Sequence, residues 1–177
     1  SLKAKLCVQG NKLLYDFSKK YNINHNQCGK IIIANNYSEL KQLKNIMQNG
    51  INNGLKELKI LSRKEVSTKE PLIKCKEGLW VPSSGIIDSH AVMKKLEYLI
   101  KSRNNNIVYN TEVTDIKYED NIYTLDFKNL DYYATSKVLI NSSGLWCNYI
   151  SNLVGISKYK LYFCKGEYYN TSKYRNK

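Results

Sequence analysis

KVLINSSGLWCNYI, Lys137 to Ile150, is the stretch on which the reading of the whole chain turns. Val138, Leu139 and Ile140 form an aliphatic, β-branched run of the kind found in a strand buried on both faces of a parallel sheet. Asn141, Ser142, Ser143 and Gly144 interrupt it with small and polar residues. Leu145, Trp146, Tyr149, Ile150 and Leu153 then resume at helical spacing, so a strand, a tight turn and a helix are expected. In open α/β sheets ligands lie just beyond the carboxyl ends of strands. There glycine lets backbone come close and the next helix offers unpaired amides. An ordinary strand-to-helix turn that binds nothing has the same pattern, so these residues alone leave both readings open.

Outward from that stretch, the pattern alternates between helix and strand. On the C-terminal side a strand-like run is expected from Tyr159 to Tyr169. On the N-terminal side Ile107 to Tyr109 begins a sheet. Glu112 to Tyr118, Asn121 to Phe127 and Leu130 to Ala134 continue it as a meander of hairpins, with apolar residues alternating as in Val113, Ile116, Tyr118 and then Ile122, Leu125, Phe127. Before the meander, Asp88 is placed to cap a helix over Ser89 to Arg103. His90 in its first turn has no Ser or Cys partner at a recognisable spacing and reads as a surface residue. The segment GLWVPSSGIID, Gly78 to Asp88, carries Gly, Pro and paired serines and is expected to be irregular over most of its length.

The first part of the chain repeats the alternation. Leu2 to Tyr21 has helical spacing, and Lys30 to Ala34 reads as a strand. A second helix follows, with Ser38 as its expected cap and Leu40, Leu43, Ile46 and Met47 as its stripe. Leu58 to Leu61 is another apolar run, and Ser62 to Lys69 has room for one or two helical turns. The order is α/β with an antiparallel insertion.

Composition sets the limits of function. Hydrophobic residues are 42% and charged residues 24% of 177, which is ordinary for a globular chain and excludes fibrous and disordered classes. Lys and Arg number 28 against 15 Asp and Glu, a formal charge of +13, which favours anionic partners. The lysines are spread along the whole chain, however, and accompany many Asn, Ile and Tyr, as a coding bias towards A and T would produce. Tyr and Lys alternate at 158 to 160 and 174 to 177, which keeps a basic, non-enzymatic binding module in view as an alternative. The five cysteines are widely separated with no CxxC pair, which argues against a zinc site or a disulfide framework. No apolar run reaches the roughly 20 residues that cross a bilayer. The opening residues already read as helix without an initiator Met, so the chain is expected to begin inside a longer protein.

Taken in order, SLKAKLCVQGNKLLYDF, CGKIIIA, PSSGIID, TEVTDI, VLINSSGLW and KGEYY resemble the L-2-hydroxyglutarate dehydrogenases and oxidases, within the broader D-amino-acid-oxidase-like flavoproteins. The resemblance covers nearly the whole chain. It implies an α/β fold: a partial FAD-binding, Rossmann-like domain over residues 1–157 with an antiparallel meander insertion. Residues 158–177 would be the first strand of a substrate-domain sheet.

The resemblance also implies FAD as cofactor and, for the complete enzyme, oxidation of a 2-hydroxy dicarboxylate, with a quinone or oxygen taking the electrons. A sibling enzyme acting on another hydroxy acid, glycerol 3-phosphate or an amine shares this framework. No nucleic-acid partner is expected, and peripheral membrane association is compatible with the family. A eukaryotic source would imply mitochondria, and a bacterial one the cytoplasm or inner membrane.

Matched position by position, Val113 falls on the strand whose backbone meets the adenine. Ser142, Ser143, Gly144 and Leu145 fall on the turn against the ribityl and pyrophosphate portion of FAD, where relatives carry Ala or Cys in place of the serines. Lys165 and Tyr168 fall on the strand entering the substrate domain. Lys165 stands where the family usually has Arg, so it retains positive charge without the bidentate fork. The chain contains no GxGxxG, and no residue in it matches a catalytic base. As a fragment it is expected to be inactive alone.

Overall fold

The computed structural model describes residues 1–167, which belong to two compact units divided between Ile107 and Val108.

The first unit opens with α1 (Leu2–Lys20), whose first turn is capped by the Ser1 hydroxyl accepting from the Ala4 amide. Chain order continues with β1 (His25–Asn26), β2 (Lys30–Ala34), α2 (Tyr37–Asn52), β3 (Lys59–Ser62), α3 (Arg63–Lys69), β4 (Glu77–Val81), β5 (Ile86–Ile87) and α4 (Ser89–Lys101). The central sheet has the order β2, β4, β3, with β4 antiparallel to both neighbours. Period-two alternation sends Ala34, Leu79 and Val81 to the face covered by Leu43 of α2. Leu61, Cys75 and Val66 of α3 form a second buried cluster, with Ile31 and Trp80 packed against it. Each fully buried Leu or Val here contributes roughly 2 kcal/mol of transfer free energy.

GLWVPSSGIID is more regular than its composition suggests. Its first residues form β4, the middle strand of the sheet. Gly78 belongs there because a Cβ would lie 2.7 Å from Ile31 Cγ2 and 2.8 Å from Val66 Cγ2. The glycine therefore marks close packing rather than a break. The Pro82 to Gly85 turn is fastened to α1, since Asn11 Nδ2 and Tyr15 Oη both donate to the Ser83 carbonyl, at 3.1 and 3.3 Å.

Helix starts follow side-chain oxygens. The cap of α2 is Asn36 and not Ser38, because Asn36 Oδ1 accepts from the Glu39 amide at 2.9 Å. Asp88 caps α4 as expected, accepting from the Ala91 amide at 2.9 Å, and His90 is exposed. Ser62 and Glu65 form a reciprocal capping box at the start of α3.

In the second unit β6 (Val113–Glu119), β7 (Ile122–Phe127) and β8 (Tyr133–Ser136) form the expected antiparallel meander. Asp120 (φ 50°) and Asn121 (φ 62°) turn β6 into β7 with the two left-handed residues that a tight hairpin needs. A 3₁₀ turn (Gly144–Trp146) then leads into α5 (Cys147–Leu153), which packs against β6.

Three expected strands are not formed. Residues 107–109 are irregular. The organising run Val138 to Ile140 has no ladder partner, and Val138 and Ile140 are 70% and 79% exposed. A strand requires a neighbour to satisfy its amides and carbonyls. All described strand pairs are antiparallel and none includes these residues. Residues 159–167 are likewise without strand pairing. Tyr168 and Tyr169, the end of that expected strand, lie outside the described residues.

Candidate functional site: the turn before the last helix

The Asn141 to Leu145 turn is built around one side chain. Asn141 Nδ2 donates to the Cys147 carbonyl at 2.8 Å and to Ser151 Oγ at 3.2 Å. Its Oδ1 accepts from the Ser143 hydroxyl at 2.7 Å and from the Ser143 amide at 3.3 Å. The amide group thus ties the turn to α5 at one end and folds Ser143 back at the other, an Asx turn. The Trp146 amide closes the 3₁₀ turn on the Ser143 carbonyl at 3.0 Å.

Gly144 is the hinge of this arrangement. Its φ of +58° is left-handed, and a Cβ placed there would meet nothing within 4 Å. Space therefore remains over the backbone, and only the conformation calls for glycine. No side chain caps the 3₁₀ turn, whose exposed first amides at Gly144 and Leu145 can donate to an acceptor. Ser142, Gly144 and Leu145 are exposed, while Ser143 is half-buried.

Val113 lies at the start of β6, half-buried, paired with Phe127 across the ladder. The register shifts between Val113 and Asp115, where Thr114 Oγ1 donates to the Asp126 carbonyl at 3.3 Å. A bulge at that point turns the strand end and frees local backbone. The Lys128 amide donates to the Glu112 carbonyl, and Lys128 Nζ pairs with Glu112 Oε2, both at 2.9 Å. The hydrogen bond that Lys128 donates to the Glu112 carboxylate raises the Lys128 pKa above its usual value. Both ends of this clamp sit beside Val113.

Val113 and the 142–145 turn lie in the same unit, and α5, which follows the turn, packs on β6, which Val113 begins. Lys165 is placed differently. Its side chain is 83% exposed, in irregular chain, and pairs with Glu167 Oε1 at 2.9 Å. Tyr168 lies outside the described residues. Asn141 was legible in the sequence only as a strand breaker. An Asn two residues before a Ser is the signal that would have identified it as the hub.

For a flavin, the turn offers small side chains, an open approach to Gly144 and uncapped amides. These features fit one wall of such a site. They do not make a pyrophosphate cradle, since the chain has no GxGxxG.

Comparison with known proteins identifies the family of the chain. A relative from Escherichia coli K12, an L-2-hydroxyglutarate dehydrogenase, is 29% identical over 178 residues, covering 99% of this chain and 42% of its own. The mitochondrial L-2-hydroxyglutarate dehydrogenase of Dictyostelium discoideum is 37% identical over 128 residues, covering 68% of this chain and 29% of its own. The chain therefore spans about two fifths, or less, of the curated relatives it matches.

Among solved structures, the dithionite-reduced L-alpha-glycerophosphate oxidase of Mycoplasma pneumoniae, with FAD bound, superposes with a TM-score of 0.76 at 27% identity. The match covers 86% of this chain and 42% of the oxidase. The L-proline dehydrogenase of P. horikoshii superposes at 0.75 with 19% identity, over 88% of this chain and 42% of its own, a likeness of fold alone. The family model for FAD dependent oxidoreductases (DAO) matches residues 1–177, and the chain belongs to that family.

Proposed function

We propose that this chain is part of an enzyme that oxidises L-2-hydroxyglutarate to 2-oxoglutarate, and that its 142–145 turn forms one wall of the flavin site. The observation that carries the proposal is Gly144, left-handed and open above its backbone, in a turn that no side chain caps. The relatives named L-2-hydroxyglutarate dehydrogenase support the choice of substrate.

When bound, FAD supplies the acceptor for the hydride that leaves C2 of the hydroxy acid. The chain's own residues hold and orient. The leading amides of the 3₁₀ turn would donate to an oxygen of the ribityl or pyrophosphate portion, and Ser142 and Ser143 are small enough to permit contact. The backbone at Val113, beside the bulge, would meet the adenine. Lys165 brings a positive charge for a substrate carboxylate, which must displace Glu167 from it. Tyr168 is the second substrate-binding residue that the resemblance implies. None of these groups is a base, so the proton of the hydroxyl is taken by a residue outside this set.

Residues 1–157 form the cofactor part of the proposal and residues 158–177 lead into the substrate part. Electrons leave to a quinone or to oxygen. A sibling reading, oxidation of glycerol 3-phosphate, is favoured by the structural likeness to the glycerophosphate oxidase.

The test is turnover by the complete FAD-loaded enzyme that contains these residues, using a dye acceptor, since the chain by itself is expected to be inactive. Formation of 2-oxoglutarate from L-2-hydroxyglutarate, with glycerol 3-phosphate and amines inert, is expected. Bleaching of the flavin by glycerol 3-phosphate alone would replace the substrate. A protein that takes up no FAD would end the proposal.

A further inference from the structure

Val113 is held on both sides of its place in β6. Ahead of it residues 107–111 are irregular, and Glu112 fastens this incoming chain to Lys128, the residue after β7. The Lys128 amide donates to the Glu112 carbonyl and Lys128 Nζ donates to Glu112 Oε2, each at 2.9 Å. Beyond Val113, Thr114 Oγ1 donates to the Asp126 carbonyl at 3.3 Å.

The Lys128 rung also fixes where the Val113 backbone points. In an antiparallel ladder, hydrogen-bonded pairs alternate with pairs whose backbone groups face away from each other. Val113 stands opposite Phe127, and the bond from Lys128 to Glu112 makes the preceding pair the bonded one. The Val113 N–H and C=O therefore point away from β7. Because β6 is the outer strand of its sheet, that side carries no further strand among the described residues. A donor and an acceptor thus stand side by side on an open edge, the complement of a base that presents a ring-nitrogen acceptor beside an amino donor.

We infer that Lys128 is a positioning residue, whose clamp on Glu112 holds the Val113 backbone so that it reads the 6-amino edge of adenine. The N–H donates to the ring nitrogen and the C=O accepts from the amino group. The inference rests on the flavin proposal and adds the residue that sets the choice of base. A 6-oxo base would turn an oxygen towards the Val113 carbonyl and a ring N–H towards the Val113 N–H, acceptor against acceptor and donor against donor. Without the Lys128 ammonium, the rung beside the irregular segment opens more often and Val113 loses its fixed direction.

The test is a titration of the complete enzyme that contains these residues, stripped of flavin, with FAD and separately with its hypoxanthine analogue, read by flavin fluorescence. The unchanged enzyme is expected to prefer FAD by about tenfold or more. Lys128→Met should weaken FAD binding about threefold and leave the analogue alone, so that the preference falls by the same factor. Lys128→Arg should restore the preference. Lys117→Met, which removes another exposed, ion-paired lysine from β6, should change neither affinity. Lys128 and Glu112 are exposed, so these changes disturb no buried contact. No preference in the unchanged enzyme, or a preference untouched by Lys128→Met, overturns the inference while the flavin proposal stands. Equal losses for both dinucleotides would make the lysine merely structural and overturn it as well. An enzyme that binds neither dinucleotide overturns both.

Discussion

The Asn141 side chain donates to the Cys147 carbonyl, bridging the chain that enters the turn and the helix that leaves it at 2.8 Å. Because the same amide group also holds Ser143, one residue determines the shape of the loop around Gly144. Asn141→Ala removes these bonds at once, each worth about 1 kcal/mol net. Amide exchange at Ser143 and Trp146 is expected to accelerate by about tenfold, while the β6 and β7 amides keep their rates. Hydrogen exchange read by NMR checks this, and unchanged exchange in the turn would remove Asn141 from its role.

Gly144 and Gly10 make a matched pair, since a Cβ at either would meet nothing within 4 Å. Their backbones differ. Gly144→Ala must hold a left-handed φ and is expected to cost roughly 1–2 kcal/mol of local stability. Gly10→Ala lies inside α1 and should stabilise by roughly 0.5–1 kcal/mol. Denaturant unfolding of both variants gives the two opposite signs.

Gly78 has no such freedom. Gly78→Ala drives a methyl between Ile31 and Val66, and overpacking of this kind costs about 1–3 kcal/mol. The urea midpoint of the first unit should fall accordingly. In a double-mutant cycle with Ile31→Ala, which removes the clashing Cγ2, the two changes together should cost less than the sum of the single changes, which would identify the clash as the cause.

The capping box of α3 gives a pH dependence. Glu65 accepts hydrogen bonds from Lys59 and from the Ser62 amide and hydroxyl, which lower its pKa from 4.5 to about 2. A carboxyl with a depressed folded-state pKa contributes stability that is complete above the unfolded value, and this is lost as pH falls from about 4.5 towards 2. Thermal unfolding between pH 6 and 2.5 should show this loss in the unchanged chain. Glu65→Gln should be less stable at pH 6 and show a shallower decline in acid.

Much of the fold could be read because local signals agreed with tertiary ones. The isoleucines of Lys30 to Ala34 alternate into two cores, the apolar spacing of residues 113–127 matches its ladder register, and Asp88 caps the helix it precedes. The misreadings share a cause, which is that sequence shows a residue's preference and not its neighbour. Gly78 looked like a breaker, but Ile31 and Val66 lie where its side chain would be. Val138 to Ile140 have the composition of a buried strand, but no described strand lies beside them. At the site, the small residues of the turn were legible as small, whereas the Asn141 bonds that shape them depend on residues six and ten positions later.

If the turn at residues 142–145 touches FAD, hydrogen exchange of the complete enzyme that contains these residues, measured with and without added FAD, will register the contact. Slower exchange at Gly144 and Leu145, with smaller protection near Val113, is the expected result. Flavin bound with those amides unprotected, or no flavin bound at all, would contradict the account.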